Sequence, residues 1–560
     1  MRLNPLTLPV LLVICAAAGT AQARGTIDKV EIKGLDKGND AAMIENIEVS
    51  LSLYQSVGKE QGESRLEYLL SQAETQAREA LEPFGYYAPS IDIQAPRSGE
   101  HLTVVITVDK GEPVRVRQSR ITMAGWADQD RYLTRDLEQF QPKAGEIFNH
   151  PNYEASKVRI TRRLAERGYF DADFTQRRVE ITRADHAADI DLAWDSGRRY
   201  DMGPVRFQYD YFRDGLFDPL VYWEQGSYYH EGKLDRLRES LTKLDYFSTI
   251  DIQPVPEQAD DQGQVPIDVK LTLAKRTIYT AGLSYGSESG PGVRGGVARR
   301  YVNSRGHKMD TQLDFAQKRK SLSTSYKIPA FRWLDGWYAF TARLYDEQTD
   351  YIDLRNIKLS AARSGQINEH WTAIASINAL RERWGYYEEG NGEDDDAPRS
   401  YQYATLVYPQ LEANYVNVDE RTFPRRGIAA TMQLRGGMDG LGSDASFVQA
   451  YGKLRWFLPA GEDSRVILRG EAGSTWTSDL VAIPPSLRFF AGGNDSVRGY
   501  AYREVGPRRG KYALGAKNAM TVSAEYERYF NGGPFGAAVF VDSGSAFDDS
   551  PDWHTGVGFG

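Results

Sequence analysis

The sequence predicts two architectures in series: small α+β repeats of β-α-α-β-β order, then an antiparallel transmembrane β-barrel. Three observations carry that reading. A motif recurs about every 80 residues in the N-terminal half. Near Lys275 the pattern changes to long alternating strands joined by short polar turns. A secretory leader precedes both.

The leader comes first. Arg2 precedes an apolar run over residues 8–18, and Ala21-Gln22-Ala23 offers a small-x-small cleavage site. Residues 1–23 therefore read as a signal peptide, too short for a membrane anchor. The only cysteine, Cys15, lies inside it, and the bulky Ile14 before it argues against lipoprotein acylation. The mature chain then has neither a disulfide framework nor a thiol nucleophile. Beyond residue 23 no apolar run is long enough for a membrane helix. Charged residues make up 26% of the chain and the net charge is −9, yet a barrel tolerates this because only alternate strand residues face lipid. Aromatics at 12%, 33 Tyr and 52 Gly favour the barrel. An acidic chain without a basic tract argues against nucleic acid. No His/Cys/Glu cluster has metal-ligand spacing, so no cofactor is expected.

The repeats are marked by a helix end followed by an aromatic pair: Leu81 to Tyr86-Tyr87, Leu164 to Tyr169-Phe170, and Leu241 to Tyr246-Phe247. Gly111-Glu112-Pro113-Val114-Arg115 and Met202-Gly203-Pro204-Val205-Arg206 open the following units in phase. In the first unit a strand over 27–32, helices over 41–54 and 65–81, and strands over 90–94 and 102–108 are expected. Gly85 and Gly168 suit the left-handed position that ends a helix, and Asp245 fills it less well. The aromatic pairs are expected to plug helix–sheet cores rather than to form a peptide shelf. Boundaries follow at 24–113, 114–198 and 199–274, with the barrel over 275–560.

Barrel strands of 10 to 14 residues are expected, about fourteen in all. Met520, Val522, Ala524 and Tyr526 alternate with Thr521, Ser523, Glu525 and Glu527. Val448, Ala450, Leu454 and Trp456 oppose Gln449, Lys453 and Arg455. The second set carries too much charge to pack against another sheet, so it should line a lumen. The chain stops at Gly558-Phe559-Gly560, in what reads as a strand, and an unfinished barrel edge is costly in lipid. The expectation is a fragment lacking about two strands.

Two enzyme signatures match as text only. Gly282-Leu283-Ser284-Tyr285-Gly286 fits the hydrolase elbow but is followed by a strand, not a helix. Gly290 to Gly295 fits a dinucleotide fingerprint but lacks the helix that would hold a pyrophosphate. Both read as a glycine-rich hairpin, and no enzyme is expected. The acidic run Glu388, Glu389, Glu393, Asp394, Asp395 and Asp396 reads as a solvated extracellular loop, with a cation-bridged lipopolysaccharide site as the sharper alternative.

The informative stretch is the long loop over 478–517, which contains Gly492-Gly493 and Val497-Arg498-Gly499-Tyr500. Downstream, Phe540 and Asp542 share the lumenal face of an alternating strand that ends in Gly544. A buried aspartate needs a partner, and a guanidinium suits it best. These segments resemble the sixth-loop signature and the thirteenth-strand partner motif of the BamA/TamA superfamily of outer-membrane assembly and secretion barrels. Phe423-Pro424-Arg425-Arg426-Gly427 is similar to that family's strand-opening turn.

The resemblance implies POTRA repeats in the periplasm, a sixteen-stranded barrel in the cell outer membrane, and Arg498 paired in the lumen with Asp542. Gly499 and Tyr500 would then shape the loop tip, with Glu525 as second acceptor. Three repeats resemble the TamA type, the outer-membrane subunit of a translocation and assembly module for β-rich proteins such as autotransporters. The implied partners are an inner-membrane-anchored TamB-like protein at the first POTRA unit, client outer-membrane β-barrel proteins, and outer-membrane lipid with lipopolysaccharide. The lateral gate would be the first strand: Thr277, Ile278, Tyr279, Thr280, Ala281, Gly282, Leu283, Ser284 and Tyr285. The rival reading is a two-partner secretion pore exporting one dedicated substrate.

Overall fold

The structure is a computed structural model that describes residues 24–286, 289–332, 336–349, 352–387, 400–509, 512–530 and 533–560. The leader and the acidic run at 388–396 lie outside the described residues. The chain forms two compact units. One runs through Pro204 with Glu224–Gly232 and Val255–Pro266; the other holds Val205–Trp223, Lys233–Pro254 and Ile267–Gly560.

In the first repeat, strand Arg24–Lys33 runs parallel to His101–Asp109, with Ser90–Gln94 antiparallel on the far side of the latter. A short strand, Glu60–Gly62, adds an unexpected outer edge. Leu66, Leu69, Ala73, Ala77 and Leu81 recur at three- and four-residue spacing on helix Glu63–Leu81, so one face is apolar. That face packs on Val104, Ile106 and Val108, which alternate inward along their strand.

The second repeat copies the plan. Strand Arg115–Ala124 runs parallel to Ala187–Asp195, with Asp173–Thr182 beyond it and helices Arg131–Glu138 and His150–Glu166 above. The third departs from the uniform β-α-α-β-β expectation. Its sheet comprises Asp201–Gln208, Phe247–Pro254 and Gln264–Leu273, but among the described residues it holds one α-helix, Glu231–Lys243. A 3-10 turn, Asp218–Leu220, takes the other helix's place, because Gly215 at φ +72° and Pro219 interrupt the segment.

The helix-end glycines do two jobs. Gly85 at φ +91° and Gly168 at φ +85° adopt the left-handed turn that stops each helix. Each also offers its carbonyl to the next repeat: Gly85 accepts from the Val114 N–H at 2.8 Å, and Gly168 from the Tyr200 N–H at 2.9 Å. A side chain would block the approach, since a Cβ on Gly85 would lie 2.7 Å from the Phe148 carbonyl oxygen. Asp245 holds the same turn at φ +55° without being glycine, and Arg300 Nε meets its carboxylate at 2.9 Å. The aromatic pairs divide between neighbours. Tyr86 and Tyr169 enter their own repeats' cores, whereas Tyr87 packs on the second core and Phe170 on Tyr229. They are core plugs, not a shelf.

Within the second repeat, Asp130 caps helix Arg131–Glu138 by accepting from the Tyr132 N–H at 3.1 Å, and receives Arg167 Nε at 2.6 Å. Burial pushes this carboxyl up, but the Arg167 guanidinium and the Tyr132 N–H outweigh it and hold it below the usual carboxylate range.

From Thr277 onward one antiparallel sheet of 14 strands runs in chain order. Strands one to five are Thr277–Gly286, Gly290–Arg299, Lys308–Ala316, Arg319–Ala330 and Gly336–Gln348. Six to ten are Ile352–Gln366, Trp371–Tyr386, Gln402–Val418, Gly427–Gly437 and Phe447–Pro459. Eleven to fourteen are Ser464–Thr477, Asn518–Tyr529, Gly536–Phe547 and His554–Phe559. Lengths of 6 to 17 residues exceed the expected spread. The longest strands run on because the loop packs beneath them, burying Leu380, Leu406 and Tyr408 against Ile483 and Leu487. Among the described residues the first and fourteenth strands are not paired with each other.

The two faces separate as expected: Val448, Leu454, Trp456, Met520 and Val522 are exposed, whereas Gln449 and Thr521 are buried. The two enzyme-like glycine patterns lie on strands one and two, paired from Thr277↔Arg299 to Gly286↔Gly290. There is no strand-to-helix elbow.

Two outcomes follow. Gly85→Ala should destabilise the first two repeats by about 1–2 kcal/mol from the left-handed backbone alone, and more from the contact with Phe148, read as a lower urea midpoint. Asp130 has a depressed folded-state pKa, so its stabilisation is present above the unfolded carboxylate pKa and is lost as pH falls through the folded value. Asp130→Asn should therefore flatten the acid limb of stability against pH, and an unchanged limb would reject a stabilising contact between the Asp130 carboxylate and Arg167.

Candidate functional site

Strand pairing builds a lumenal square. Val539 and Val541 face outward, so Phe540 and Asp542 face in. Ser523 lies directly opposite Asp542, and Glu525 opposite Phe540. On the other flank, Gly556 lies opposite Asp542 and Gly558 opposite Phe540. Those glycines leave room. A Cβ on Gly556 would sit 1.9 Å from the Arg498 carbonyl oxygen, and one on Gly558 would sit 2.4 Å from the Phe540 ring.

Arg498 fills the square. Its Nε donates to Asp542 Oδ2 at 2.6 Å and its Nη2 to Oδ1 at 2.8 Å, a two-pronged contact reinforced by its backbone N–H at 3.0 Å. Nη1 donates to Glu525 Oε2 at 2.7 Å, and Nη2 also reaches Ser523 Oγ at 3.4 Å. The guanidinium carbon stands 3.4 Å from the centre of the Phe540 ring. The Asp542 side chain is fully buried. With its donors committed to protein acceptors, this arginine is a clamp rather than an electrophile. Val497 is buried and packs where a Cβ on Gly544 would lie, 2.8 Å from Val497 Cγ2. Gly499 turns the chain at φ +97°, and Tyr500 meets His554 edge-on at 5.3 Å.

Sequence reasoning missed two further fastenings. Glu382 on strand seven is fully buried and accepts from the Ser486 N–H at 3.1 Å. Glu347 on strand five pairs with Arg319 at 3.1 Å and with the loop's Arg503 at 3.6 Å. Arg469 joins the main clamp at 3.4 Å from Glu525. Inward alternation was the available signal, but it marks many charged residues and does not show which of them the loop reaches.

The loop also reveals the curvature. Arg319 on strand four stacks on Tyr502 at 4.4 Å, while Arg498 meets strand thirteen. Laid flat, nine strand spacings would separate those strands by about 43 Å. Arg498 and Tyr502 are four residues apart, at most about 14 Å. The sheet therefore curls around the loop, and the face bearing Asp542 is the lumen.

A model of the Omp85 superfamily domain matches residues 302–556. Ahead of it, the model described as POTRA domain TamA domain 1 matches 29–110, and a POTRA model described as surface antigen variable number repeat matches 117–193. The chain carries an Omp85 superfamily domain behind POTRA domains. Two curated relatives are named outer membrane protein assembly factor BamA. That of Nitratidesulfovibrio vulgaris is 25% identical over 343 residues, which is 59% of this chain and 42% of the relative. That of Neisseria meningitidis serogroup B is 22% identical over 498 residues, which is 83% of this chain and 61% of the relative. The chain thus spans less than two thirds of either relative. Among solved structures, BamA from Haemophilus ducreyi lacking POTRA domains 1–3 aligns with a TM-score of 0.62 at 17% identity, over 80% of this chain and 93% of that one. That likeness shows the fold. The Omp85 barrel lies in the outer membrane, with the POTRA domains in the periplasm.

Within the Omp85 domain, the segment Phe423 to Gly427 makes the turn into strand nine. Gly427 stands at φ +127°, where a Cβ would lie 2.1 Å from the Asn417 carbonyl oxygen. Asp419 accepts from the N–H groups of Arg425 at 3.0 Å and Arg426 at 3.1 Å, and the Arg465 guanidinium covers Phe423 at 3.9 Å. The first strand, from Thr277, lies apart from the arginine clamp. It pairs with strand two and exposes Tyr279, Leu283 and Tyr285.

Arg498→Ala strands a buried carboxylate and should cost about 3–5 kcal/mol at the site, read as faster hydrogen exchange and proteolysis across 478–517 with the strands retained. Arg498→Lys should rescue little, because a point charge cannot make the two-pronged contact. Equal loop protection in all three proteins would reject the clamp.

Proposed function

We propose that this chain is the outer-membrane subunit of a translocation and assembly module, which inserts or translocates β-rich proteins such as autotransporters. The supporting observation is the lumen itself: the loop over 478–517 crosses it, fastened at Asp542, Glu382 and Glu347. With the interior occupied, exchange of strands at the seam is the route a client takes. The first strand, Thr277–Gly286, forms one side of that seam; when it parts from the barrel's last strand, the freed row of backbone groups templates a client strand. Nothing in that step needs a nucleotide or a metal.

Substrate handling begins in the periplasm. The repeats, assigned to 24–113, 114–198 and 199–274, hand clients to the barrel over 275–560. Strand Ser90–Gln94 stands at a sheet edge in the first repeat and suits backbone pairing with a partner. The match of this repeat to the TamA form of POTRA domain 1 supports the TamA type, with an inner-membrane-anchored TamB-like protein as its partner.

The test is site-specific photocrosslinking in cells. A crosslinker at Leu283 should capture β-barrel clients, one at outward-facing Val448 should not, and one at the exposed Asp92 should capture an inner-membrane-anchored protein. Equal capture of clients at Leu283 and Val448 would reject the seam. Capture of one secreted protein from lumenal positions alone would favour the export pore.

A further inference from the structure

The outer face of strands three to eight carries a two-level pattern that the assembly reading does not use. Direct cross-strand partners form one row, Phe315, Lys320, Asp346, Arg355, Arg383 and Tyr403. The row two residues closer to the periplasm reads Leu313, Leu322, Leu344, Ile357, Arg381 and Thr405. Four cations thus stand beside a shelf of four aliphatic side chains. Two carboxylates answer them: Asp346 pairs with Arg355 at 2.7 Å, and Asp353 with Arg383 at 3.1 Å. Lys320 lies over the Phe315 ring at 5.5 Å, and Arg381 reaches the Thr405 hydroxyl at 3.1 Å. A groove of about 450 Å³ opens between the rows.

The height of the row decides its meaning. The first strand leaves the periplasmic repeats, so strand five rises from Gly336 toward the cell exterior. Asp346 stands about ten residues above Gly336, about 26 Å along the barrel axis at a tilt of about 40°. The apolar band of an outer-membrane barrel is about 25 Å tall. The cation row therefore sits at the outer-leaflet headgroup level, and the leucines sit just beneath it among acyl chains. A surplus of cations is costly against hydrocarbon unless anionic headgroups meet it.

We propose that this groove binds a phosphorylated glycolipid of the outer leaflet. Its phosphates lie against Lys320, Arg355, Arg381 and Arg383, and its acyl chains lie over Leu322, Leu344 and Ile357. The site rests on the barrel's outer-membrane placement and is independent of strand exchange at the seam, so either can fail without the other.

The full chain, purified in detergent, would be titrated with diphosphoryl lipid A, with the same lipid stripped of phosphate, and with inorganic phosphate, using native mass spectrometry. Diphosphoryl lipid A should bind, and loss of its phosphates should weaken binding about tenfold or more. The double variant Lys320→Gln/Arg381→Gln should show the same loss. Arg363→Gln, on strand six toward the periplasmic end, should not. Equal binding of the two lipids by the unaltered protein would overturn the site without relying on any variant. Full displacement of the lipid by inorganic phosphate would reduce it to a small-anion site and overturn the glycolipid assignment as well.

Discussion

The barrel's interior is organised by one contact, the two-pronged bond between Arg498 and the buried Asp542. A loop of about 40 residues loses much conformational entropy when it is held inside a lumen. Apolar burial around Ile483 and Ala491 offsets part of that loss, but apolar contact alone does not fix register. The arginine does. It ties the loop to strands twelve and thirteen at once, through Glu525 and Asp542, and its backbone N–H sets the loop's height on the wall. Strand fourteen completes the fit by omitting side chains, at Gly556 where the loop's backbone crosses and at Gly558 against the Phe540 ring.

The same economy runs through the sheet. Each strand presents one face to hydrocarbon and one to the lumen, so a single alternation determines both solubility in lipid and internal wiring. The outer face of the cation row shows how far this extends. Partners two residues apart along a strand, on one face, separate a charged level from an aliphatic one.

Much of this architecture is legible in the sequence. Period-two alternation gave the two faces at Met520 to Glu527, and the change near Lys275 to long alternating strands gave about fourteen of them. Helix-end glycines were readable because the left-handed turn leaves few alternatives, and Asp245 adopts it with help from Arg300. The third repeat's missing helix was not readable, since the repeat's other markers stay in phase across Gly215 and Pro219. Nor were Glu382, Glu347 and Arg503. Their importance arises from where a folded loop happens to touch the wall, and that is a tertiary fact with no local signature. The extra strand Glu60–Gly62 is likewise only three residues long, too short for a periodicity to show.

The joints between repeats use almost nothing specific. A helix stops on a left-handed residue, its bare carbonyl takes an N–H from the strand that follows, and the second ring of an aromatic pair leans across the gap. A socket built from main chain and a missing side chain fits any unit that starts with the same few residues. Duplicating one unit would therefore supply both halves of a new joint at once, so an arm of this kind can lengthen or shorten by whole modules while the barrel it serves stays unchanged.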